Sequence, residues 1–310
     1  MPEYSSFHVT LFPKILNMKK IAAIHDLSGY GRASLTVAIP ILSHMGYQVC
    51  PLPTAILSAH SEYPNFRSLD LTDFMEEYIA HWKALNLHFD AIYSGYLASV
   101  KQMEIVSDFF HHFKNEQNFI LVDPVLGDHG SLYPNMDQAM VEGMKHLCTQ
   151  AKVITPNLTE AAFLLGENSI KEISAEQTLG WCKALSQFGP EHVIITSAPG
   201  NHPQDIVTIA YNRTDNRYWE VICDHIPASY PGTGDAFASV ITGSLLNGDS
   251  LPEAIDRAVH FINMGIKATF GYRHNPLDGM NQEKVLHYLN EPLPYYRYQL
   301  IEEPKTTDRT

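Results

Sequence analysis

Short apolar runs rich in β-branched residues alternate along this chain with segments whose apolar positions recur every three or four residues. Residues 21–24, 48–52, 91–93, 119–122, 153–154 and 192–196 read as strands. Between them lie amphipathic stretches. In residues 101–115, Ile105, Phe109 and Phe113 repeat every four positions beside Val106 and Phe110, the stripe of a helix with one buried face. Strands alternating with helices predict a parallel sheet covered on both faces, because each parallel connection needs a crossover.

The pattern changes after residue 205. Residues 206–211 and 218–223 flank a polar loop at 212–216, which predicts an antiparallel hairpin at one sheet edge. Two consecutive helices follow, over residues 234–246 and 252–270. The second carries Ile255, Val259, Ile262 and Ile266 on one face, an arrangement expected from core packing alone. No repeat, low-complexity block or Pro/Ser-rich linker interrupts the chain. The organisation predicted is one domain over 18–290, an N-terminal extension at 1–17 and a C-terminal tail at 291–310.

Composition adds limits. The 310 residues are 45% hydrophobic and 18% charged, enough to build one large core. A formal charge of −13 argues against a nucleic-acid partner, whose backbone calls for clustered Lys and Arg. A nucleotide stays possible, since backbone N–H groups and a metal can hold phosphates. No apolar run approaches the roughly 18 residues of a membrane span. Residues 1–17 lack the sustained apolar core of a signal peptide, and Met18-Lys19-Lys20 reads as a translation start, so a cytoplasmic protein is expected. Cys50, Cys148, Cys182 and Cys223 form no C-x-x-C pair and are expected as free thiols. The sixteen histidines show no H-x-x-x-H spacing, and His111-His112 is expected on solvated surface.

The sharpest chemical signal is Pro231-Gly232-Thr233-Gly234-Asp235-Ala236-Phe237-Ala238, running from a loop into a helix. Two glycines around a threonine let successive N–H groups turn inward as an anion nest at a positive helix end, with the Asp235 carboxylate beside it. A phosphate cradle next to a base is what phosphoryl transfer to an alcohol requires. Taken alone, the motif fits equally well a glycine turn followed by an Asp that the helix dipole favours. Two further acidic motifs follow strands. Asp123-Pro124-Val125-Leu126-Gly127-Asp128 ends one strand, and Thr155-Pro156-Asn157-Leu158-Thr159-Glu160 follows the next, although the second also reads as a helix cap. A parallel sheet would gather these carboxylates at its ligand-binding edge, where they could serve Mg²⁺. Near the N-terminus, Asp26-Leu27-Ser28-Gly29-Tyr30-Gly31 is a glycine turn. As a dinucleotide fingerprint it fails: Ser34 stands at the third glycine position, and Pro51-Leu52-Pro53 replaces the acidic residue ending the second strand.

In this order the glycine turn, Thr54, Tyr93-Ser94-Gly95-Tyr96, the Asp123–Asp128 run, the Thr155–Glu160 motif and Gly-Thr-Gly-Asp resemble the ribokinase-like superfamily over residues 19–290. Within it the chain is most similar to pyridoxal/pyridoxamine kinases, relatives of the hydroxymethylpyrimidine kinases. The resemblance implies a three-layer α/β/α domain with a mostly parallel sheet, antiparallel edge strands and no separate lid domain. It implies phosphorylation of the 5′-hydroxymethyl group of pyridoxal, pyridoxamine or pyridoxine by Mg²⁺-ATP, feeding pyridoxal 5′-phosphate salvage. It also leaves room for K⁺ or Na⁺ and for a homodimer. Asp235 then resembles the base, with the Gly232, Thr233 and Gly234 amides as the anion hole. Asp26, Ser28, Thr54, His60 and Tyr96 resemble the ring pocket. Asp123, Asp128 and Glu160 resemble the magnesium cluster, and Asp123, Tyr133, Asn157, Glu160, Thr196, Ser197, Thr233 and Gly234 the nucleotide contacts. One departure stands out: many pyridoxal kinases have Ser at Asp26, whereas Asp-x-Ser-Gly resembles the hydroxymethylpyrimidine branch. The rival readings are therefore a hydroxymethylpyrimidine kinase, an NAD-binding oxidoreductase lacking its fingerprint, and an inactive ligand-binding protein lacking nothing. Because no motif lies in residues 1–17, a chain begun at Met18 should keep its melting temperature and activity; thermal melts and turnover of both lengths check this.

Overall fold

The computed structural model describes residues 18–167, 173–200, 205–223 and 226–302; the 1–17 extension and the last eight residues of the expected tail lie outside them. In chain order the strands are β1 (Lys20–Ser28), β2 (Gln48–Leu57), β3 (Ser68–Asp70), β4 (Ala91–Ser94), β5 (Phe119–Val122) and β6 (Gly127–Asp128). Then come β7 (Ser131–Leu132), β8 (Val153–Ile154), β9 (His192–Pro199), β10 (Ile206–Asn212), β11 (Arg217–Cys223) and β12 (Gln299–Ile301). The helices are α1 (Leu35–His44), α2 (Thr72–Ala84), α3 (Val100–Phe113), α4 (Gln138–Gln150), α5 (Leu158–Leu165), α6 (Ala175–Ser186), α7 (Thr233–Asn247) and α8 (Leu251–Phe270).

Ten of the described strands form one sheet in the order β12-β11-β10-β9-β8-β5-β4-β1-β2-β3. Pairing is parallel from β2 through β1, β4, β5 and β8 to β9, and antiparallel for the β3 edge and for β10, β11 and β12. Side chains of the central strands alternate between two cores, as a period of two requires. Ala22, Ile92 and Val122 enter the core built with Trp82, Phe109, Met144 and Leu185 of α2, α3, α4 and α6. Ile21, Tyr93 and Leu121 enter the other, with Ile41, Phe237, Ile255 and Phe261 of α1, α7 and α8. This is the three-layer sandwich expected, and the hairpin of β10 and β11 stands on the expected edge.

Three differences from the sequence reading have local causes. β1 runs on through Asp26 to Ser28, because its pairing with β2 continues to Leu57 and the buried Asp26 and Ser28 side chains hydrogen-bond each other. β2 runs through both prolines to Leu57, with Pro51 and Pro53 opposite Ala23 and His25. The prolines share one parity, so their missing N–H groups fall on the side that has no neighbour until β3 begins. Finally, residues 299–301, expected within a tail, extend the sheet as β12. Their anchor is Asp256 of α8, fully buried, which accepts from the Arg297 backbone N–H at 2.7 Å and from its Nε at 3.1 Å. Removing one partner of a buried pair strands the other charge. Arg297→Ala should lower unfolding stability by about 3–5 kcal/mol, measured by denaturant titration against the parent chain.

Candidate active site

Six parallel strands deliver their carboxyl ends to one edge, and the loop before α7 closes over it. Gly232, the residue before α7, sits at φ 78°, and a Cβ there would fall 2.3 Å from the Arg32 carbonyl oxygen. Only glycine fits that approach. The helix then presents Asp235 in its first turn, with Thr233 Oγ1 donating to the Tyr230 carbonyl at 3.1 Å. Asp235 Oδ2 accepts the backbone N–H of Ser34 at 2.8 Å. Burial pushes its carboxyl pKa up to about 7, the Ser34 N–H opposes that rise, and the charges of Asp123 and Asp26 add to it.

Two neighbours of Asp235 were not among the candidate site residues, although Tyr93 lies in the Tyr93–Tyr96 motif. His25 of β1 is fully buried, and neither ring nitrogen has a hydrogen-bond partner. Burial holds its pKa down to about 3, so the ring is neutral, with Nδ1 at 4.0 Å from Asp235 Oδ1. Its space exists because residue 95 is glycine: a Cβ there would lie 2.3 Å from His25 Nδ1. Tyr93 stacks edge-on against the same ring at 4.3 Å and donates its hydroxyl to the Asp235 carbonyl at 3.3 Å.

Beside this group lies a polar wall from β1 and β2. Asp26 is buried and accepts from Ser34 Oγ at 2.5 Å and from Ser28 Oγ at 3.2 Å. Desolvation raises its pKa and the two hydroxyls oppose the rise. Opposite Asp26 the β1–β2 register slips by one residue, placing Thr54 and Ala55 against one position of β1. Such a bulge re-aims a side chain. Thr54 is fully buried, and its hydroxyl has no partner, as is also true of Ser94. A hydroxyl of that kind is costly unless something fills it. Tyr96, half-buried, accepts from Asn135 Nδ2, a contact the sequence did not suggest.

His60 sits differently from a free pocket residue. Its Nε2 donates to the Leu277 carbonyl at 2.6 Å and its Nδ1 accepts the Glu62 N–H at 3.4 Å. It belongs to a rim in which Asp278 also accepts from Tyr30 and Tyr63 hydroxyls, at 3.1 Å and 2.5 Å.

The opposite half of the edge carries the second acidic group. Asp123 accepts from Thr155 Oγ1 at 2.8 Å, and burial pushes its pKa up to about 7. Asn157 and Glu160 form a reciprocal capping box on α5, so the cap reading holds. They also fix the neighbouring loop: Glu160 accepts from the Leu126 N–H at 3.1 Å, and Asn157 Nδ2 donates to the Gly127 carbonyl at 2.9 Å. Burial, and then the Asp123 charge, hold the Glu160 carboxyl well above its ordinary range. Asp128 is not drawn into this buried group. It stands half exposed in the β6–β7 turn beside His129. Among the described residues, no three His, Cys, Asp or Glu side chains form a ready metal cage. Thr196 and Ser197 oppose the single residue Thr208 in a β-bulge, with Ser197 at φ 60°. Tyr133, part-exposed, lies in the field of Glu160, Asp128 and Asp123.

A family model described as phosphomethylpyrimidine kinase matches residues 39–278. The chain belongs to the phosphomethylpyrimidine kinase family. A pyridoxine/pyridoxal/pyridoxamine kinase of Bordetella pertussis is 30% identical over 248 residues, covering 77% of this chain and 85% of its own. A Bacteroides thetaiotaomicron protein named as a candidate phosphomethylpyrimidine kinase, crystallised with pyridoxal, is 56% identical. It superposes with a TM-score of 0.89 over 92% of this chain and 100% of its own. The Lactobacillus plantarum pyridoxal kinase is 32% identical, with a TM-score of 0.80 over 87% and 96% of the two chains. In such a kinase the base acts ionised, so kcat/KM should fall as pH drops through about 7. The same raised pKa makes ionisation of Asp235 unfavourable to the fold: its contribution to stability is lost as pH rises from the ordinary carboxyl value of 3.8 to about 7, and the loss is complete above that. Since Asp123 titrates nearby, the assignment needs variants: Asp123→Asn should retain the acid limb of the pH–rate profile, and Asp235→Asn should abolish it.

Proposed function

We propose that this chain transfers the γ-phosphoryl group of ATP to the 5′-hydroxymethyl group of a vitamin B6 ring. The observation that carries the reading is one juxtaposition. A carboxyl held near neutrality, Asp235, stands at the Gly232–Gly234 turn and shares Ser34 with the buried acceptor Asp26. Asp235 takes the hydroxymethyl proton as that oxygen bonds to phosphorus; the bond to the β-phosphate oxygen breaks and ADP leaves. The Gly232, Thr233 and Gly234 amides meet charge on the transferring group. Thr54 and Asp26, with Ser28 and Tyr96 beside them, receive the ring's polar atoms, and His60 closes the rim over it. Asn157, Thr196, Ser197 and Tyr133 line the nucleotide side.

A divalent cation fits the chemistry of this edge. Asp123 and Glu160 are buried carboxyls whose charge burial disfavours, and a hard cation prefers such oxygen donors. Mg²⁺ would be held by Asp123, with Glu160 and Asp128 through intervening water, and would neutralise phosphate charge. K⁺ or Na⁺ beside it, a homodimeric assembly and a cytoplasmic setting belong to the same proposal; among the described residues no helix is long and apolar enough to cross a membrane.

A hydroxymethylpyrimidine substrate is the second reading, favoured by Asp26 and by the family model. A coupled ADP-release assay with pyridoxal, pyridoxamine, pyridoxine and hydroxymethylpyrimidine decides between them. A higher kcat/KM on the B6 rings is expected; a preference for the pyrimidine would overturn the ring assignment. On whichever ring is used, Asp235→Asn should lose about 10² to 10⁴ in kcat while ATP affinity survives, because the nest's backbone donors remain. Near-normal turnover by the folded variant would remove Asp235 from the chemistry.

A further inference from the structure

Ser34 stands where the chain enters α1, a position at which a serine hydroxyl ordinarily caps the helix. It makes no such cap. Its backbone instead adopts φ 53°, ψ −126°, a conformation that a residue with a Cβ holds only when its surroundings impose it. What the conformation achieves is visible in its two polar groups. The N–H reaches Asp235 Oδ2 at 2.8 Å, and the hydroxyl reaches Asp26 Oδ1 at 2.5 Å. The residue itself is buried, 6% exposed, and pairs with Leu27 of β1 through an isolated bridge.

We infer that Ser34 is a positioning residue that ties the ring-facing carboxylate of Asp26 to the catalytic carboxylate of Asp235, so that the two are held in one geometry. Both polar groups of Ser34 are engaged by protein carboxylates, so its role is exerted through them. A helix cap and a relaxed backbone are both given up where this bridge is made. The inference rests on the kinase reading above and deepens it, since it makes ring recognition and base placement properties of one residue.

Kinetics and thermal melts on the full chain test it. Ser34→Ala removes the hydroxyl and keeps the N–H; it should lower kcat/KM for the ring substrate about tenfold, the loss expected for a hydrogen bond to a charged group, with KM for ATP unchanged. In an Asp26→Ala background the same substitution should add no further loss, because its partner is gone. Ser34→Gly should melt above Ser34→Ala by more than the margin usual at a helix N-cap, because at this φ and ψ the alanine Cβ is strained and glycine is not. An active parent chain whose Ser34→Ala variant keeps its ring kcat/KM, or loses equally with and without Asp26, would overturn the inference. So would Ser34→Gly melting below Ser34→Ala. A parent chain with no turnover on any of the four rings would instead overturn the kinase reading, and this inference with it.

Discussion

The rest of the site depends on one electrostatic constraint: four carboxyls, Asp26, Asp123, Glu160 and Asp235, are withdrawn from water at one edge of the sheet. None of them pairs with Lys or Arg among the described residues. Burying a carboxylate without a counter-ion is unfavourable, so the fold answers with dipoles. Hydroxyls of Ser28, Ser34 and Thr155 and backbone N–H groups of Ser34, Leu126 and Asn157 all point at these oxygens. The compensation is uneven. Glu160 accepts two N–H bonds, whereas Asp235 accepts one and keeps its other oxygen beside a neutral imidazole. In both, burial and the neighbouring Asp123 charge outweigh these dipoles and raise the carboxyl's affinity for a proton, which at Asp235 is the property a base needs at neutral pH.

Holding those dipoles in place requires backbone that ordinary residues avoid. Gly31, Ser34, Ser197, Gly232 and Gly279 all have positive φ and all lie at the ligand edge or on its rim. At Gly279 a Cβ would meet the Arg32 Cβ at 2.8 Å, so the loop after β1, the turn before α7 and the segment near Asp278 are packed against one another without slack. Strain concentrated at a site in this way is sustained by the packed layers beneath it. Here the layers are the two cores on either side of the sheet.

That division explains what could be read from the sequence. The layers were legible because parallel strands and amphipathic helices impose periodicity on every residue, and Gly-Thr-Gly-Asp was legible because its first glycine, Gly232, is a backbone requirement. His25 was not, because a histidine inside an apolar strand carries no mark of what lies opposite it; the space for its ring is set by Gly95, seventy positions away. Ser34 was noted only as a missing glycine, when its positive φ makes it the residue that does what glycine would do there and adds a hydroxyl. β12 went unread for a different reason: three residues carry too little pattern, and the strand is fixed by Arg297 reaching Asp256 of α8. Asp128 was grouped with Asp123 and Glu160 from the motif after β5 and the family resemblance; in the structure it lies at the end of β6 with its side chain half exposed beside His129.

The same geometry accounts for a family named for one ring and relatives named for another. In the proposed mechanism the base and the amides come from the start of α7, and the phosphate side from the ends of β5, β8 and β9. On the same reading, selection among rings falls to β1 and β2, where Asp26, Ser28 and the bulged Thr54 stand. A change there replaces a buried hydrogen-bond partner and can shift preference by one to two orders of magnitude without disturbing the transfer machinery. The proposed mechanism thus assigns reaction and substrate to different elements. The bridge through Ser34 is the point at which the two meet, so under that mechanism a ring engaging Asp26 would engage a group hydrogen-bonded to the same residue as the base.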